Sequence, residues 1–531
     1  MLHTVSPLDD ATLQRELGRL VEAELLYQRG LPPQATYLFK HALVVDAAYQ
    51  SLLKSTRQQY HQRTAQTLAE RFPATVAMQP ELVAYHLTEA GLNEQALVCW
   101  KQAGQQSMRR SAHAEAVGHF RHGLEVVQRL PTTPERLWQA LLLYTEMGPA
   151  LMLAKGQADA EVAQVYTQAL PLCEQAGDPH QLTLVLTGLW RYYHARGVFE
   201  EAQRLGERLL TLAHRHQENA FLVLAHWMLG ATLTLRGDIL HARAYLEEGI
   251  VLATREATLT SYDPEQHQSL VLSYGTHPTL ACYSYESWVL WILGYPERAM
   301  QRNQEVLTIV QPLTHQPMRG ICHNMGATLY VWYREGQTVQ ALAETSIALS
   351  AEHGLAYHLA WGTALRGVAL LMQHHEDGLE QLQQGLSAYQ GTKVRLLTPY
   401  LLALLAETYG KRGKVEEGLR TLAEAFLILD TFGSYFLEAE LYRLKGELLL
   451  QQSSDNAAAV ETCFHHALDI ARNQQAKSLE LRAATSLARL WHWQGKRQQA
   501  YDLLAPVYNW FTEGFDTADL KDARALLDEL A

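Results

Sequence analysis

One spacing constrains this chain more than any other feature. Gly197, Gly237, Gly294, Gly336, Gly413 and Gly495 each sit in a short polar break, and five residues later stand Ala202, Ala242, Ala299, Ala341, Gly418 and Ala500. Two further positions fit with the turn residue replaced, Gln373 before Gly378 and Ser454 before Ala459. The turn positions then advance by 40, 57, 42, 37, 40, 41 and 41 residues. A near-constant period of this size marks stacked units, none of which can bury its apolar face alone. The one long interval contains SYDPEQHQSLVLSYGTHP and reads as an insertion near residues 255–280.

Each turn separates two helical runs, so the unit is a helix pair. Four residues before the turn lie Tyr193, Leu233, Leu290, Trp332, Tyr409 and Trp491, and seven before it Gly230, Ala406 and Ala488 keep small volume where helices approach closely. This set of small, aromatic, glycine-turn and alanine positions resembles the tetratricopeptide repeat (TPR), with a period longer than the usual ~34 residues that implies longer helices. The expected fold is all-α: a TPR-like α-solenoid, a right-handed superhelix of helix pairs with a concave groove. Less regular units precede it. Gly91, Ala96, Trp100 and Ala103 fit one, Ala116, Phe120 and Gly123 another, and Gly156, Tyr166 and Ala169 a third.

Composition agrees with a large buried core, since 48% of residues are hydrophobic and only 19% charged. The net charge of −12 offers no general attraction to phosphate backbones or anionic lipid. No stretch of 18 uncharged apolar residues occurs and the start, MLHTVSPLDD, lacks a leader pattern, so the expectation is a cytoplasmic protein with no membrane partner. Cys99, Cys173, Cys282, Cys322 and Cys463 are scattered and form no C-x-x-C pair, which predicts reduced, partly buried thiols.

The first seventy-five residues break the pattern. DDATLQRELGRLVEAEL predicts a helix, ELLYQR and ATYLFKH flanking GLPPQ predict a hairpin, and a long helix is expected from about His41 to Phe72. Helix, hairpin and helix form the tail of a winged-helix fold, whose two preceding helices are missing. The expected organisation is a partial winged-helix segment over 1–75, an irregular helical-repeat entry over 76–131 and the repeat array over 132–531.

Several runs carry a more specific resemblance: YLFKHALVVDAAYQSLLKSTRQQYHQRTAQTLAERFP, PELVAYHLTEAG, LGYPERAM, EAELYRLKGELLL, QQAKSLELRAATSLARLW and WFTEGFDTADLKDARALLDEL. From about residue 10 to 531 the chain resembles the C-terminal repeat arm of bacterial class III adenylate/guanylate cyclases and predicted ATPases of the AAA/STAND type. Full members join a cyclase domain and a nucleotide-binding ATPase to such an arm. Neither is expected here. No G-x-x-x-x-G-K-[ST] occurs, and the nearest fragment, Gly410-Lys411-Arg412-Gly413, falls at a repeat turn. No catalytic residue of the family carries over, and no cofactor is expected.

Clusters of metal-binding residue types have simpler readings. His214, His216 and Glu218 end a helix, His374, His375, Glu376 and Asp377 fill a turn, and His465 and His466 lie in a helix beside Phe464, so no metal site is expected. The 11 Trp and 25 Tyr are more informative. In the first helix of a pair, offsets of 13, 10, 6 and 3 before the turn share one face, which in TPR proteins lines the groove. Those offsets select Arg191, His194, Trp227, Trp288, Trp291, His323, Tyr330, Tyr333, Tyr400, Glu407, Arg482, Arg489 and His492 as partner-binding candidates. Trp190, Tyr193, Trp332, Tyr409 and Trp491 fall on packing positions. The middle of the groove, Trp288 to Tyr333, is expected to present an aromatic surface to a ligand or peptide.

The leading expectation is a noncatalytic scaffold that binds a protein or peptide, or senses a small-molecule signal, as the regulatory arm of an ATPase or cyclase module. The alternative is one part of a cyclase or ATPase whose catalytic domains lie upstream or on another chain. A third reading, a DNA-binding regulator using Arg57, Arg63, Arg109 and Arg110, is opposed by the total charge.

Overall fold

The computed structural model describes residues 1–32, 34–255, 277–313, 316–453 and 456–531. The turn expected at Ser454 and the body of the expected insertion lie outside the described residues. The chain divides into two compact units, Met1–Ala150 and Leu151–Ala531. Pro149, which has no N–H to give the helix ladder, stands beside the division inside the helix Pro134–Lys155.

In the first unit, Asp9 caps the helix Asp10–Glu22 by accepting from the Thr12 N–H at 2.9 Å. The strands Leu26–Arg29 and Thr36–Phe39 pair antiparallel, with Leu26 opposite Phe39 and Arg29 opposite Thr36. Leu13, Leu17 and Leu26 form the small core beneath them. The long helix expected from His41 to Phe72 is corrected: it is two helices, Ala42–Ser51 and Lys54–Arg71, parted by extended Leu52 and Leu53. Ala42–Ser51 buries none of its residues, so no packing enforces continuity across the break. The helices Pro80–Ala90, Asn93–Arg109 and His113–Gln128 follow, with Gly91 left-handed at the first turn and Ala96, Trp100, Ala103, Ala116 and Phe120 buried.

The second unit is a TPR-like α-solenoid. Among the described residues, the helix Ala160–Ala176 is followed by eight helix pairs, whose first members are Pro179–Ala195, Asn219–Arg236, Pro278–Ile292, Gln316–Trp332, Ala356–Met372, Thr398–Lys411, Glu438–Gln452 and Lys477–Trp493, and by a closing helix, Ala518–Leu530. Each first helix packs on its own partner and on its neighbours, and the expected small positions Ala202, Ala242, Ala299 and Ala500 are fully buried.

The turns need one residue with positive φ, which glycine adopts without strain. Gly197, Gly237, Gly294, Gly413 and Gly495 fill that place. Gly336 does not. In its pair the left-handed residue is Arg334, two positions earlier, and Gly336 starts the next helix with Met372 and Ala369 packed where a side chain would go. Ala341 is consequently exposed, and Val339, five residues after Arg334, occupies the buried position. One pair later the left-handed residue is His374.

Long-range contacts recur along this unit. The last carbonyls of a helix have no partner within it, and in four successive pairs one such carbonyl accepts from a later part of the chain. Ala195 O accepts from the Arg395 N–H at 2.8 Å and Leu235 O from the Phe436 N–H at 3.3 Å. Trp291 O accepts from Ser478 Oγ at 2.5 Å and Trp332 O from Arg482 Nη2 at 3.0 Å. The first three donors lie at or just before the helix pair five places further along, and Arg482 lies in the pair before the closing helix. Within this unit the superhelix therefore returns onto itself after five pairs.

The tightest helix contact joins Ala356–Met372 to Gly378–Gly391. A Cβ on Gly385 would stand 2.3 Å from the Ala364 backbone nitrogen. Gly385→Ala is thus expected to destabilise by about 1–3 kcal/mol despite better helix propensity. Gly118→Ala, with nothing within 4 Å of the added carbon, is expected to stabilise by up to about 1 kcal/mol. Urea unfolding of both variants checks the opposite signs.

Candidate functional site

Where the superhelix returns, it leaves a partly open cavity of about 90 Å³ in the second unit. One ordered water needs roughly 10–15 Å³ on this measure, so the cavity holds a group of several atoms. One wall comes from the first helices of successive pairs: Arg191 and His194, then Trp227, then Ala281, Ser284, Tyr285 and Trp288. Ile321, Cys322 and Met325 continue it, followed by Tyr357, His358 and Trp361. The opposite side is Leu396 and Leu397, on the segment whose Arg395 bonds back to Ala195.

Aromatic contacts hold this lining in place. Trp190 stacks on His194 with centroids 4.6 Å apart, meets Trp227 edge-on at 4.5 Å, and donates to Thr232 Oγ1 at 3.0 Å. Trp288 is 1% exposed, donates to Met325 O at 3.0 Å, and lies between Trp332, Trp361 and the parallel ring of Phe436. Tyr357 packs on His358, Trp361 and Tyr389.

The cavity is not wholly apolar. Trp227 Nε1, Trp361 Nε1, His194 Nε2 and His358 Nδ1 are buried without a hydrogen-bond partner in the protein. Such groups are costly unless something satisfies them. Burial, reinforced by the positive charge of Arg191, pushes both histidines down to about 3, so both rings are neutral near pH 7. His358 keeps part of its surface accessible yet is surrounded by protein at its Nδ1. Among the described residues lining the cavity, Arg191 alone carries a formal charge and there is no carboxylate.

The thirteen residues expected to line an open groove separate into groups. Arg191, His194, Trp227 and Trp288 converge on the cavity. Trp291 is 3% exposed, and with Tyr333 and Trp332 it faces Ser478 and Asp519 in a narrow recess. His323 is buried and bonds the Arg319 carbonyl at 2.6 Å, Tyr330 is buried, and Tyr333 donates to the Pro296 carbonyl. Tyr400 is buried edge-on against Trp332, and Glu407 pairs with Lys411 at 2.7 Å. The exposed aromatic surface expected from Trp288 to Tyr333 is therefore corrected: Trp288, Trp291 and Tyr330 are buried and Tyr333 is turned onto the Pro296 carbonyl, with Phe436 against Trp288 and Ser478 against Trp291.

Arg482 and Arg489 line a charged recess with Arg334, Arg443, Asp519 and Asp522, and His492 is exposed nearby in sequence. Arg482 pairs with Asp519 at 2.7 Å and Glu440 at 3.5 Å, and its guanidinium lies 4.9 Å from the Trp291 ring centre. Arg334 reaches Asp519 at 2.7 Å and Asp522 at 3.0 Å. Burial raises the Glu440 carboxyl, but Arg443 and Arg482 outweigh it and hold it at about 2. These residues clasp one part of the solenoid to another.

Tyr285, Tyr357, His358, Trp361, Leu396 and Leu397 line the cavity without having been expected to. Trp361 had a legible signal, since it stands 13 residues before the true turn residue His374. Ile321 stands 13 before Arg334 in the same way. Reading the turn from glycine shifted this part of the face by two residues and selected His323, Tyr330 and Tyr333 instead. The aromatic packing positions also behave unevenly: Trp190 and Trp332 are buried, whereas Tyr193, Tyr409 and Trp491 are half-buried.

The other motifs lie apart from the cavity. His214 and His216 are exposed at the helix end, as are His374 to Asp377 in their turn and His465 and His466 on their helix. Among the described residues no group of three or more His, Cys, Asp or Glu is placed to hold a metal. All five cysteines are unbridged, and all but Cys99 are buried. No described helix is long and apolar enough to cross a membrane.

No protein-family profile matches the chain. An uncharacterized protein of Rhizobium meliloti (strain 1021) is 22% identical over 492 residues, which are 90% of this chain and 46% of that protein. The chain thus spans about half the length of the curated relative it matches. Among solved structures, the APC/C hetero-tetramer Cut9-Hcn1 aligns with 98% of this chain and 94% of its own at 12% identity and a TM-score of 0.44. Rap protein complexed with competence and sporulation factor aligns over 83% and 100% at 10% identity and 0.40. A signal transduction ATPase with numerous domains carrying a tetratricopeptide repeat sensor, from Pyrococcus horikoshii, aligns over 90% and 74% at 12% identity and 0.36.

Two outcomes follow for the cavity walls. Trp288→Ala is expected to cost about 3–5 kcal/mol in urea unfolding, the range for a fully buried large side chain. The histidines act through pH. Their folded pKa lies below the unfolded 6.5, so the unfolded chain binds protons first and stability falls as pH drops from 6.5 toward 3. Between pH 7.5 and 5 this costs about 2 kcal/mol per ring. His194→Gln with His358→Gln should flatten the pH dependence of unfolding by about twice that amount.

Proposed function

We propose that this chain is a ligand-sensing arm of TPR-like repeats, whose interior cavity receives a small signal and whose closure reports the signal's presence. The observation that supports the reading is the cavity itself: an aromatic recess with unsatisfied polar nitrogens, lined by segments about two hundred residues apart in sequence. A ligand touching both Trp227 and the Leu396–Leu397 segment binds the closed superhelix better than a loosened one. Only such differential affinity can shift a conformational equilibrium.

The role is noncatalytic in this reading, because neutral histidines and a single arginine provide no paired acid and base. The resemblance to the repeat arms of cyclases and ATPases supports one further step, in which closure biases a nucleotide-driven module that this arm contacts as a protein partner. The greater length of the Rhizobium relative accords with additional modules in that protein.

Hydrogen–deuterium exchange on the full chain tests the proposal. A metabolite fraction below 1 kDa should slow exchange in residues 394–398 and around Trp227, and Ala281→Leu, which fills the cavity, should abolish the effect. Absence of protection by any fraction overturns the sensing role. Nucleotide turnover by the isolated chain overturns the noncatalytic one.

A further inference from the structure

The chemistry of the lining narrows what the cavity accepts. An indole N–H donates and never accepts, so the buried Nε1 groups of Trp227 and Trp361 both require an acceptor. Trp190 and Trp288 line the same space with their Nε1 groups already engaged, by Thr232 and by the Met325 carbonyl. The unmatched donors are therefore particular positions and not a general property of the aromatic wall. His194 Nε2 and His358 Nδ1 differ in kind. Both rings are neutral near pH 7, and a neutral imidazole has one N–H and one bare nitrogen, so each of these unpartnered atoms can either donate or accept.

Four kinds of guest meet this pattern differently. A hydrocarbon leaves all four nitrogens unmatched. A cation brings donors toward indoles that can only donate. An anion brings acceptors, but none of the four nitrogens carries a charge to offset the cost of taking it out of water, and Arg191 already has an interaction of its own. An amide brings a carbonyl oxygen, whose two lone pairs suit indole N–H groups, together with an N–H that an imidazole can accept, and it brings no charge. The flat walls of Trp190, Trp288, Tyr285 and Tyr357 suit a planar body. At 10–15 Å³ for each water-sized group, about 90 Å³ holds roughly six to nine non-hydrogen atoms.

We infer that the cavity binds a small uncharged planar amide, carried in or on an aromatic ring, with its carbonyl toward the Trp227 and Trp361 N–H groups and its N–H toward His194 or His358. The inference rests on the sensing role proposed above and specifies its ligand.

Ligand-observed NMR titration of the full chain tests it with probes of similar shape. Benzamide carries the amide on its ring and uracil carries it within the ring; acetophenone keeps the carbonyl and loses the N–H, toluene has neither, and benzoate adds a charge. Benzamide or uracil should bind at least about tenfold more tightly than toluene and benzoate, with acetophenone between the amide and toluene. Trp361→Phe, which keeps the wall and removes one donor, should weaken the amide about two- to tenfold and leave toluene unchanged. With isotope-labelled tryptophan, the indole N–H signals lost in Trp227→Phe and Trp361→Phe should move downfield when the amide binds, and that of Trp190 should stay. Circular dichroism checks the fold of both variants, and the probe series stands on the unaltered chain.

Toluene binding as tightly as both amides overturns the amide, and benzoate binding as tightly as benzamide overturns the uncharged guest. Amide binding that moves neither indole signal, or is indifferent to Trp361→Phe, overturns the assigned contacts. Failure of both amides to bind, while a metabolite fraction still protects residues 394–398 from exchange, overturns the inference and leaves the sensing role standing. Failure of the amides and of every fraction removes the two together.

Discussion

A helix ends with carbonyls that have no partner of their own, and in an array of helix pairs the question is what satisfies them. In the second unit of this chain the following turn satisfies some of them, as Gly237 N–H does Thr234, and the array itself meets others. Ala195, Leu235, Trp291 and Trp332 each offer a last-turn carbonyl to Arg395, Phe436, Ser478 or Arg482. The first three of these contacts each reach the pair five places on, and because the repeats are nearly equal in length one places the next in register. Four hydrogen bonds of about 1 kcal/mol each would not hold a superhelix closed; they are accompanied by Phe436 against Trp288 and by Trp510 and Lys477 packed on the turn at Gly294.

Closure changes what the inner face can do. An open solenoid shows a concave surface to protein partners, and its aromatic residues serve as contact sites. A solenoid that returns onto itself turns those residues inward, so that Trp288, Trp291 and Tyr400 become core. The space left over is small and sharply defined, which favours a ligand of a few atoms over an extended peptide. The charged clasp of Arg334, Arg443, Arg482, Glu440 and Asp519 lies on the same returning surfaces. Buried charge networks of this kind add geometric selectivity more than net stability.

Much of this was legible from spacing alone. The left-handed glycines at 197, 237, 294, 413 and 495, and the buried small residues five positions on, four alanines and Gly418, follow from the constraint that a tight turn needs positive φ and that crossing helices need small side chains. Arg191, His194, Trp227 and Trp288 were found by the same counting. It failed where the turn residue was not glycine. Arg334 accepts a positive φ and is held by Asp519 and Asp522, aspartates nearly two hundred residues away that no local pattern reveals. His374 does the same job one pair later, and Trp361 was missed with it.

The sequence by itself determined the helix pairs, their period and which face of each first helix turns inward, because turn stereochemistry and helical periodicity are local properties. It did not determine whether that face meets solvent. That depends on the small rotation between successive pairs, summed over five of them, and only the tertiary structure decided it: the sum brings residues 395, 436 and 478 onto 195, 235 and 291, and a groove becomes a chamber.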